Sequence, residues 1–292
     1  MKESAFTVDV EDGVSIAMRD VFSKEVQQTD RVVTYTTQVL ELLGKYNVKG
    51  TFFTLGEVGE RFPGLVKKIA NLGHEIGVHG YHHLQFFRMS PEKAYQEISS
   101  AKKLLEDLTG TEVTGHRAPA FSITPETEWG LDVISKAGFI YDSSIMPVQG
   151  KRYGWPGFPK GITKIATKNG ELIEVPMSVG SILGKEVPAC GGGYLRLFPF
   201  WLTKIMIDKI IDNRPAIVYM HPYELDTFPY PDYYLNELKK TGLVTQFKMR
   251  SMWINRKTIN RKLENLLKRH SFVPMNKLVS DYVNNALFPE TT

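Results

Sequence analysis

Two histidines four residues apart, His79 and His83 in the run HGYHH, are the first residues whose types and spacing can do chemistry. On a helical turn both imidazoles face one way and can share a metal ion. A zincin protease needs Glu directly after the first His to activate water; Gly80 stands there, which argues against that reaction. A third ligand must come from elsewhere, and the acidic run Asp9-Val10-Glu11-Asp12 is the natural donor. Two imidazoles and one carboxylate leave positions open for water and substrate, a catalytic rather than a structural arrangement. The run has more carboxylates than one ion needs. One can bind the ion while another takes a proton from water, whose pKa a bound cation lowers toward neutrality.

Three further residues suit such a centre. Arg117 in HRAPAF needs a carboxylate if buried, and a pair with Asp9 would hold that base in place. His221 in YMHPYE follows a buried apolar run and can donate a proton to a leaving amine. Asp142 in YDSS can orient that imidazole. Each has a plain alternative: a surface Arg, a satisfied edge histidine, and an Asx turn with Ser144. Other features carry less. Gly191-Gly192-Gly193 lacks a following Lys-Ser/Thr and is no phosphate loop. Tyr153, Trp155 and Phe158 line a sugar groove or pack a loop. His74, His82, His116 and His270 are given no role. The basic stretch 250–270 can meet anionic lipid or an acidic polymer; the better reading is a solvated face, with Ile259, Leu263, Leu266 and Leu267 docked on the core.

The elements that must position these groups follow from periodicity and turn chemistry. Apolar runs predict strands over 5–10, 50–55, 74–79, 112–117, 139–142 and 216–220. Helices are predicted over 30–46, 62–72, 91–108, 125–138, 198–211, 255–269 and 276–287. A loop is predicted over 151–160, and a hairpin over 162–175 around Asn169-Gly170. The strand–helix alternation implies parallel strands with right-handed crossovers. The polar candidates then fall at the C-terminal ends of strands, where ligands of α/β sheets and barrels bind. The chain has 292 residues, 42% hydrophobic and 23% charged, so it can bury a large core without disulfides. Its charge, 36 Lys and Arg against 32 Asp and Glu, is too weakly basic to name nucleic acid as a partner. No apolar run is of membrane-spanning length, and MKESAFTVDVED has no secretory h-region. With a single cysteine, Cys190, the expectation is a cytoplasmic protein without an integral membrane segment. A homo-oligomer stays open.

Taken in order, Asp9…Asp12, His79-xxx-His83, Arg117-Ala-Pro, Asp142-Ser-Ser and Met220-His221 resemble the NodB-homology polysaccharide deacetylases, carbohydrate esterase family 4. The resemblance covers about residues 4–225. Within that family the chain is similar to the peptidoglycan-deacetylase and allantoinase-like branch. FTVDVED, HRAPAFSI, YDSSIMP, GGGYLRLFPFWL and YMHPYELD are similar to its exosortase-associated exopolysaccharide deacetylase group. The resemblance implies an α/β fold, a distorted (β/α)7-type barrel with extra C-terminal helices. Its catalytic domain would span 1–250, with an inserted hairpin and loop at about 151–197, and 251–292 would be a helical extension packed on the barrel. It also implies roles: Asp9 as general base, His79 and His83 as metal ligands, Arg117 as tether of the base, His221 as general acid and Asp142 as its orienting carboxylate. The backbone N–H of Ala120 falls where the family helps hold the oxyanion. The third ligand is Glu11 or Asp12. Strand alternation puts Glu11 on the same side as Asp9, and Asp12 is reachable if the chain turns.

The reading is a metal-dependent hydrolase that removes N-acetyl groups from amino sugars of an exopolysaccharide or cell-wall glycan. Its cofactor is one divalent ion, Zn²⁺ first, with Co²⁺, Fe²⁺ or Mn²⁺ open. The rivals are an allantoinase-like hydrolase of a small cyclic amide or imide, an inactive sugar-binding module, and an Fe(II) oxygenase, which Arg117 and His221 fit poorly.

Overall fold

The computed structural model describes residues 3–150 and 153–287, with side chains to 285. Residues 1–2, 151–152 and 288–292 lie outside the described residues; they include the first two positions of the N-terminal run read above, the start of the predicted 151–160 loop and the end of the expected C-terminal extension. The first half runs β1 (Ser4–Val10), α1 (Gly13–Phe22), α2 (Arg31–Lys45), β2 (Thr51–Thr54), α3 (Gly56–Arg61), α4 (Pro63–Asn71), β3 (Glu75–Val78), α5 (Pro91–Thr109), β4 (Gly115–His116), α6 (Trp129–Lys136) and β5 (Tyr141–Asp142). The second half runs β6 (Thr163–Thr167), β7 (Gly170–Glu174), β8 (Val179–Ile182), β9 (Lys185–Pro188), α7 (Gly192–Leu197), α8 (Phe200–Ile211), β10 (Ile217–Met220), α9 (Asp232–Lys239), α10 (Leu243–Ser251), α11 (Arg256–Leu267), β11 (Phe272–Val273) and α12 (Met275–Leu287).

The strands run parallel in the order β10-β1-β2-β3-β4-β5-β7, and antiparallel β6 finishes that edge. This is the distorted α/β barrel expected. Between β7 and β10 the wall is irregular backbone: Ser178 Oγ accepts the Ile217 N–H at 2.8 Å, and the Cys190 carbonyl accepts the Tyr219 N–H at 2.9 Å. Alternation sorts each strand. Phe6, Val8 and Val10 of β1 pack outward with the helices. Ala5 packs inward with Phe53, Tyr141, Ile173 and Ile217. The helices form for local reasons. Ser90 Oγ caps α5 on the Lys93 N–H, Gly110 ends it at φ +67°, and Ala94, Ile98, Ala101 and Leu105 are its buried stripe.

The C-terminal elements close the opposite end of the barrel. β11 pairs with β1 at Ser4 and Ala5, and Met275, Leu278 and Val279 of α12 join the inner cluster. The Met275 N–H donates to Thr51 Oγ1 at 2.7 Å, and the Asn276 N–H to Glu75 Oε2 at 3.0 Å. α11 buries Ile259, Leu263, Leu266 and Leu267 as read from the sequence. Two of its cations are not on the solvated face: Arg256 is buried and donates to the Met252 and Asp226 carbonyls at 2.9 and 3.1 Å, and Lys262 Nζ is buried and donates to the Leu195, Arg196 and Phe198 carbonyls at 2.9, 3.0 and 2.8 Å, satisfying the end of α7. The sequence reading missed α1, α3, α7, α9, α10, β11 and the β8–β9 hairpin, taking Gly191–Gly193 at the start of α7 for a loop, and it overextended β4 and β5, which are two residues each.

Candidate metal centre and active site

The site lies at the C-terminal ends of the parallel strands. β1 delivers Asp9 and, just past its end, Glu11; both are buried and on the inward side. His79 follows β3. The turn from His79 to His83 is not the helical one the spacing suggested. Gly80 has φ +78° and His83 itself φ +59°, and this left-handed backbone brings the two rings within 5.4 Å. Neighbouring elements lock the turn. The Gly80 and Tyr81 carbonyls accept the first N–H groups of α3, at 3.0 and 3.1 Å. Glu97 of α5 accepts the His82 N–H at 3.1 Å.

Glu11, His79 and His83 form a buried group whose ligand atoms all lie within 4.8 Å of one another. Glu11 Oε2 is 3.0 Å from His83 Nε2 and 3.7 Å from His79 Nε2. His79 Nδ1 lies 2.8 Å from the Arg117 carbonyl; donating there leaves the Nε2 lone pair aimed at the group. Glu11 Oε2 is buried without a hydrogen-bond partner, which costs free energy unless a cation satisfies it. Two imidazole nitrogens and one carboxylate thus fit a borderline divalent ion. Burial drives the His79 pKa down to about 4, leaving a neutral imidazole able to ligate. Burial pushes Glu11 up, but His83, His221 and His79 together hold it down at about 2, so it is a carboxylate at neutral pH.

Beside this group sits the expected Arg117–Asp9 pair, Nη1 to Oδ1 at 2.8 Å and fully buried. All five guanidinium N–H groups are assigned. Nη1 also reaches Thr7 Oγ1 at 2.8 Å, Nε the Ser143 carbonyl at 3.1 Å, and Nη2 Ser143 Oγ at 3.1 Å and Met177 Sδ at 3.5 Å. The guanidinium also lies 4.2 Å from the centre of the Phe53 ring. Opposite, His221 Nε2 is 3.6 Å from Glu11 Oε1 and 3.9 Å from Asp9 Oδ2. Burial pulls its pKa down, but Glu224, Glu11 and Asp9 outweigh that and raise it to about 9, leaving a protonated imidazole. The ring stacks on Tyr223 at 4.7 Å. Gly13 makes room for that stack, since a Cβ there would lie 2.7 Å from Tyr223 Cγ.

Two assignments are corrected. Asp12 is not a ligand of this group: its carboxylate caps α1 on the Val14 N–H at 2.9 Å and accepts Thr29 Oγ1 at 2.6 Å, so the turn that starts the helix points it away. Of the two carboxylates it is Glu11 that lies in the buried group with His79 and His83. Asp142 does not orient His221. It sits across from His116 on adjacent strands and bonds His116 Nδ1 at 2.7 Å, on the face opposite inward-pointing Tyr141. The carboxylate facing His221 Nδ1 is Glu224, at 3.5 Å, one 3₁₀ turn later. The sequence reading missed Glu224, although the His221–Glu224 spacing of three was a usable signal. It also gave no role to His116, which is fully buried beneath the site. Ser144 links that layer upward, donating to Asp142 Oδ1 at 2.7 Å and accepting the Ala118 N–H at 2.7 Å. Burial and the Asp142 charge push the nearby Glu174 carboxyl well above its ordinary range.

A cavity of about 560 Å³ opens over Asp9, Glu11, His79, His83 and His221. Ala120, at φ +54°, and Tyr153 lie on its wall, whereas Trp155 and Phe158 pack against the core. Ile16, Val21, Met249 and Met252 supply apolar wall.

Residues 24–141 match the polysaccharide deacetylase family, and residues 143–280 match a domain of unknown function, DUF3473. Through its first half the chain therefore resembles the polysaccharide deacetylases. It is 30% identical over 131 residues to a peptidoglycan-N-acetylglucosamine deacetylase of Bacillus cereus, covering 41% of this chain and 48% of that one. It is 34% identical over 109 residues to a peptidoglycan deacetylase of Helicobacter pylori, covering 37% and 36%. The chain thus spans about half the length, or less, of these curated relatives. A solved structure from Mycobacterium smegmatis assigned to the polysaccharide deacetylases shares the fold, with TM-score 0.63 at 20% identity over 99% of this chain and 93% of that one. In this chain the site draws on both matched segments. His79, His83 and Arg117 come from the first, His221 and Met249 from the second, and Asp9 and Glu11 from the strand ahead of either.

Proposed function

We propose that this chain is a metal-dependent N-deacetylase of an amino-sugar polysaccharide, with an exopolysaccharide as its substrate and its affinity within the family in the exosortase-associated group. One observation carries the reading. A Glu–His–His group able to hold a cation shares one cavity with an Arg-tethered carboxylate and a histidine held in its protonated form, and that histidine lies within 4 Å of both Glu11 and Asp9. Glu11, His79 and His83 would hold a divalent cation, Zn²⁺ by first choice, which would supply Lewis-acid polarisation of the acetamide carbonyl and a lowered pKa for water. Arg117 occupies Asp9 Oδ1, which leaves Oδ2 to take the proton of the attacking water. The Ala120 N–H on the cavity wall holds the oxyanion. His221, steadied by Glu224, hands its proton to the departing amine, and acetate leaves.

The catalytic unit we assign is 1–250, with 251–292 as the extension that closes the barrel floor. The chain has one cysteine, Cys190, buried and without a disulfide, and on that ground we propose a cytoplasmic protein. Among the described residues no helix is long and apolar enough to cross a membrane. The test is acetate release by the purified protein from a panel of N-acetylated glycans, with and without chelator, beside a cyclic imide. Chelator-sensitive acetate release supports the reading. Turnover of the imide alone favours the allantoinase-like rival, and glycan binding without turnover favours the inactive module.

A further inference from the structure

The cavity wall formed by α10 has an outer side that nothing above uses. At 100° per residue, Leu243, Phe247 and Val244 fall on one stripe of that helix, and they are 83%, 74% and 84% exposed. Met249 points the other way, buried against Val14, Ala17 and Tyr234 of α1 and α9. Isolated exposed apolar residues are ordinary, but three on one stripe of a nine-residue helix mark an interaction surface. Charge says what it meets. Residues 239–263 contain eight Lys and Arg, six of them exposed, and no Asp or Glu. Lys248 and Arg250 are exposed and flank the apolar stripe on either side, the arrangement in which long cationic side chains reach headgroups while apolar ones enter the acyl boundary.

We propose that α10 docks this protein on the surface of an anionic lipid bilayer. An acidic polymer would use the cations but leave Leu243, Val244 and Phe247 in water, so the stripe decides for lipid. The inner side of the same helix lines the cavity through Thr245 and Met249. Docking therefore sets the cavity mouth about one helix diameter, roughly 10 Å, from the headgroups, within reach of a glycan held at the membrane. The surface stands independently of the deacetylase reading, because its readout is partition of the full chain onto vesicles.

The experiment is sedimentation of the full chain with vesicles of equimolar phosphatidylglycerol and phosphatidylcholine, or of phosphatidylcholine alone. We expect at least tenfold tighter binding to the anionic vesicles. We also expect at least a tenfold loss in the triple variant Leu243→Ser/Val244→Ser/Phe247→Ser, and a loss of the anionic preference in Arg250→Glu with Lys239→Glu. These positions are exposed, so unchanged circular dichroism and thermal midpoint will show that the variants fold. Failure of the wild type to bind either vesicle overturns the proposal. So does anionic binding that the triple variant leaves intact, which would assign a polyanion site built on charge alone. So does sedimentation equilibrium showing a wild-type dimer that the triple variant makes monomeric, which would assign the face to a second copy.

Discussion

Arg117 joins the two halves of the site through different parts of one residue, and this separates what its substitution should do. The side chain holds Asp9, while the backbone carbonyl orients His79 at 2.8 Å. Arg117→Met keeps the carbonyl and removes the guanidinium. The ion pair it breaks is fully buried, and removing one partner of such a pair costs about 3–5 kcal/mol because the other charge stays behind unpaired. That is a large share of the roughly 5–15 kcal/mol that holds a domain together. Urea unfolding should show the loss as a lower midpoint at unchanged slope. Asp9→Asn with Arg117→Met removes both charges, and the double variant should recover about 1–3 kcal/mol of the summed single losses. Arg117→Lys keeps the charge with fewer, differently placed donors. A misplaced base should then lower kcat on the order of a hundredfold. Metal content by elemental analysis should be unchanged in every folded variant. Strict additivity in the double variant, or a folded Arg117→Met that has lost its metal, would refute the division of labour.

The remaining predictions are briefer. Glu11→Gln should lose bound metal, whereas Asp12→Asn should keep it and lose about 1 kcal/mol of stability or less, as a helix cap would; elemental analysis beside urea unfolding separates the two. Glu224→Gln should lower kcat about 10–100-fold by freeing the acid's ring. Asp142→Ala should instead cost about 1–3 kcal/mol of stability, having lost its bond to His116; equal effects of the two on kcat would contradict the pairing. His74, buried and near Lys49, has its pKa lowered from 6.5 to about 4. The unfolded chain therefore takes up this proton first as pH falls, so the stability His74 contributes is full above 6.5 and is lost on the way down to 4. His74→Asn keeps an acceptor for the Gly50 N–H and should remove about 2 kcal/mol of the drop between about pH 7 and pH 5, measured as unfolding free energy.

What could be read from the chain followed one rule, and so did what could not. Alternation along a strand is a property of the sequence, so Asp9 and Glu11 could be placed together on one side of β1 before any coordinates. The same rule carries Asp142 outward with His116 while Arg117 and Ser143 face in, but β4 and β5 are two residues each. A two-residue strand shows no alternation of its own, so the phase had to come from register with its neighbours, and Asp142 was put on the wrong side of the wall. Asp12 failed differently. An Asp ahead of GVSIAMRDVF is an N-cap signal, but the run Asp9–Asp12 looked like a supply of ligands, and the helix that consumes Asp12 went unread. α10 lay beyond the method altogether. Periodicity assigns apolar residues to the core, and this helix turns Leu243, Val244 and Phe247 to solvent and only Met249 inward. A helix whose apolar stripe faces out reads from sequence as a weak core helix or as none. Its exposure becomes visible only once the barrel has taken up its own core, so the surface we assign to lipid is where reading by pattern was bound to fall silent.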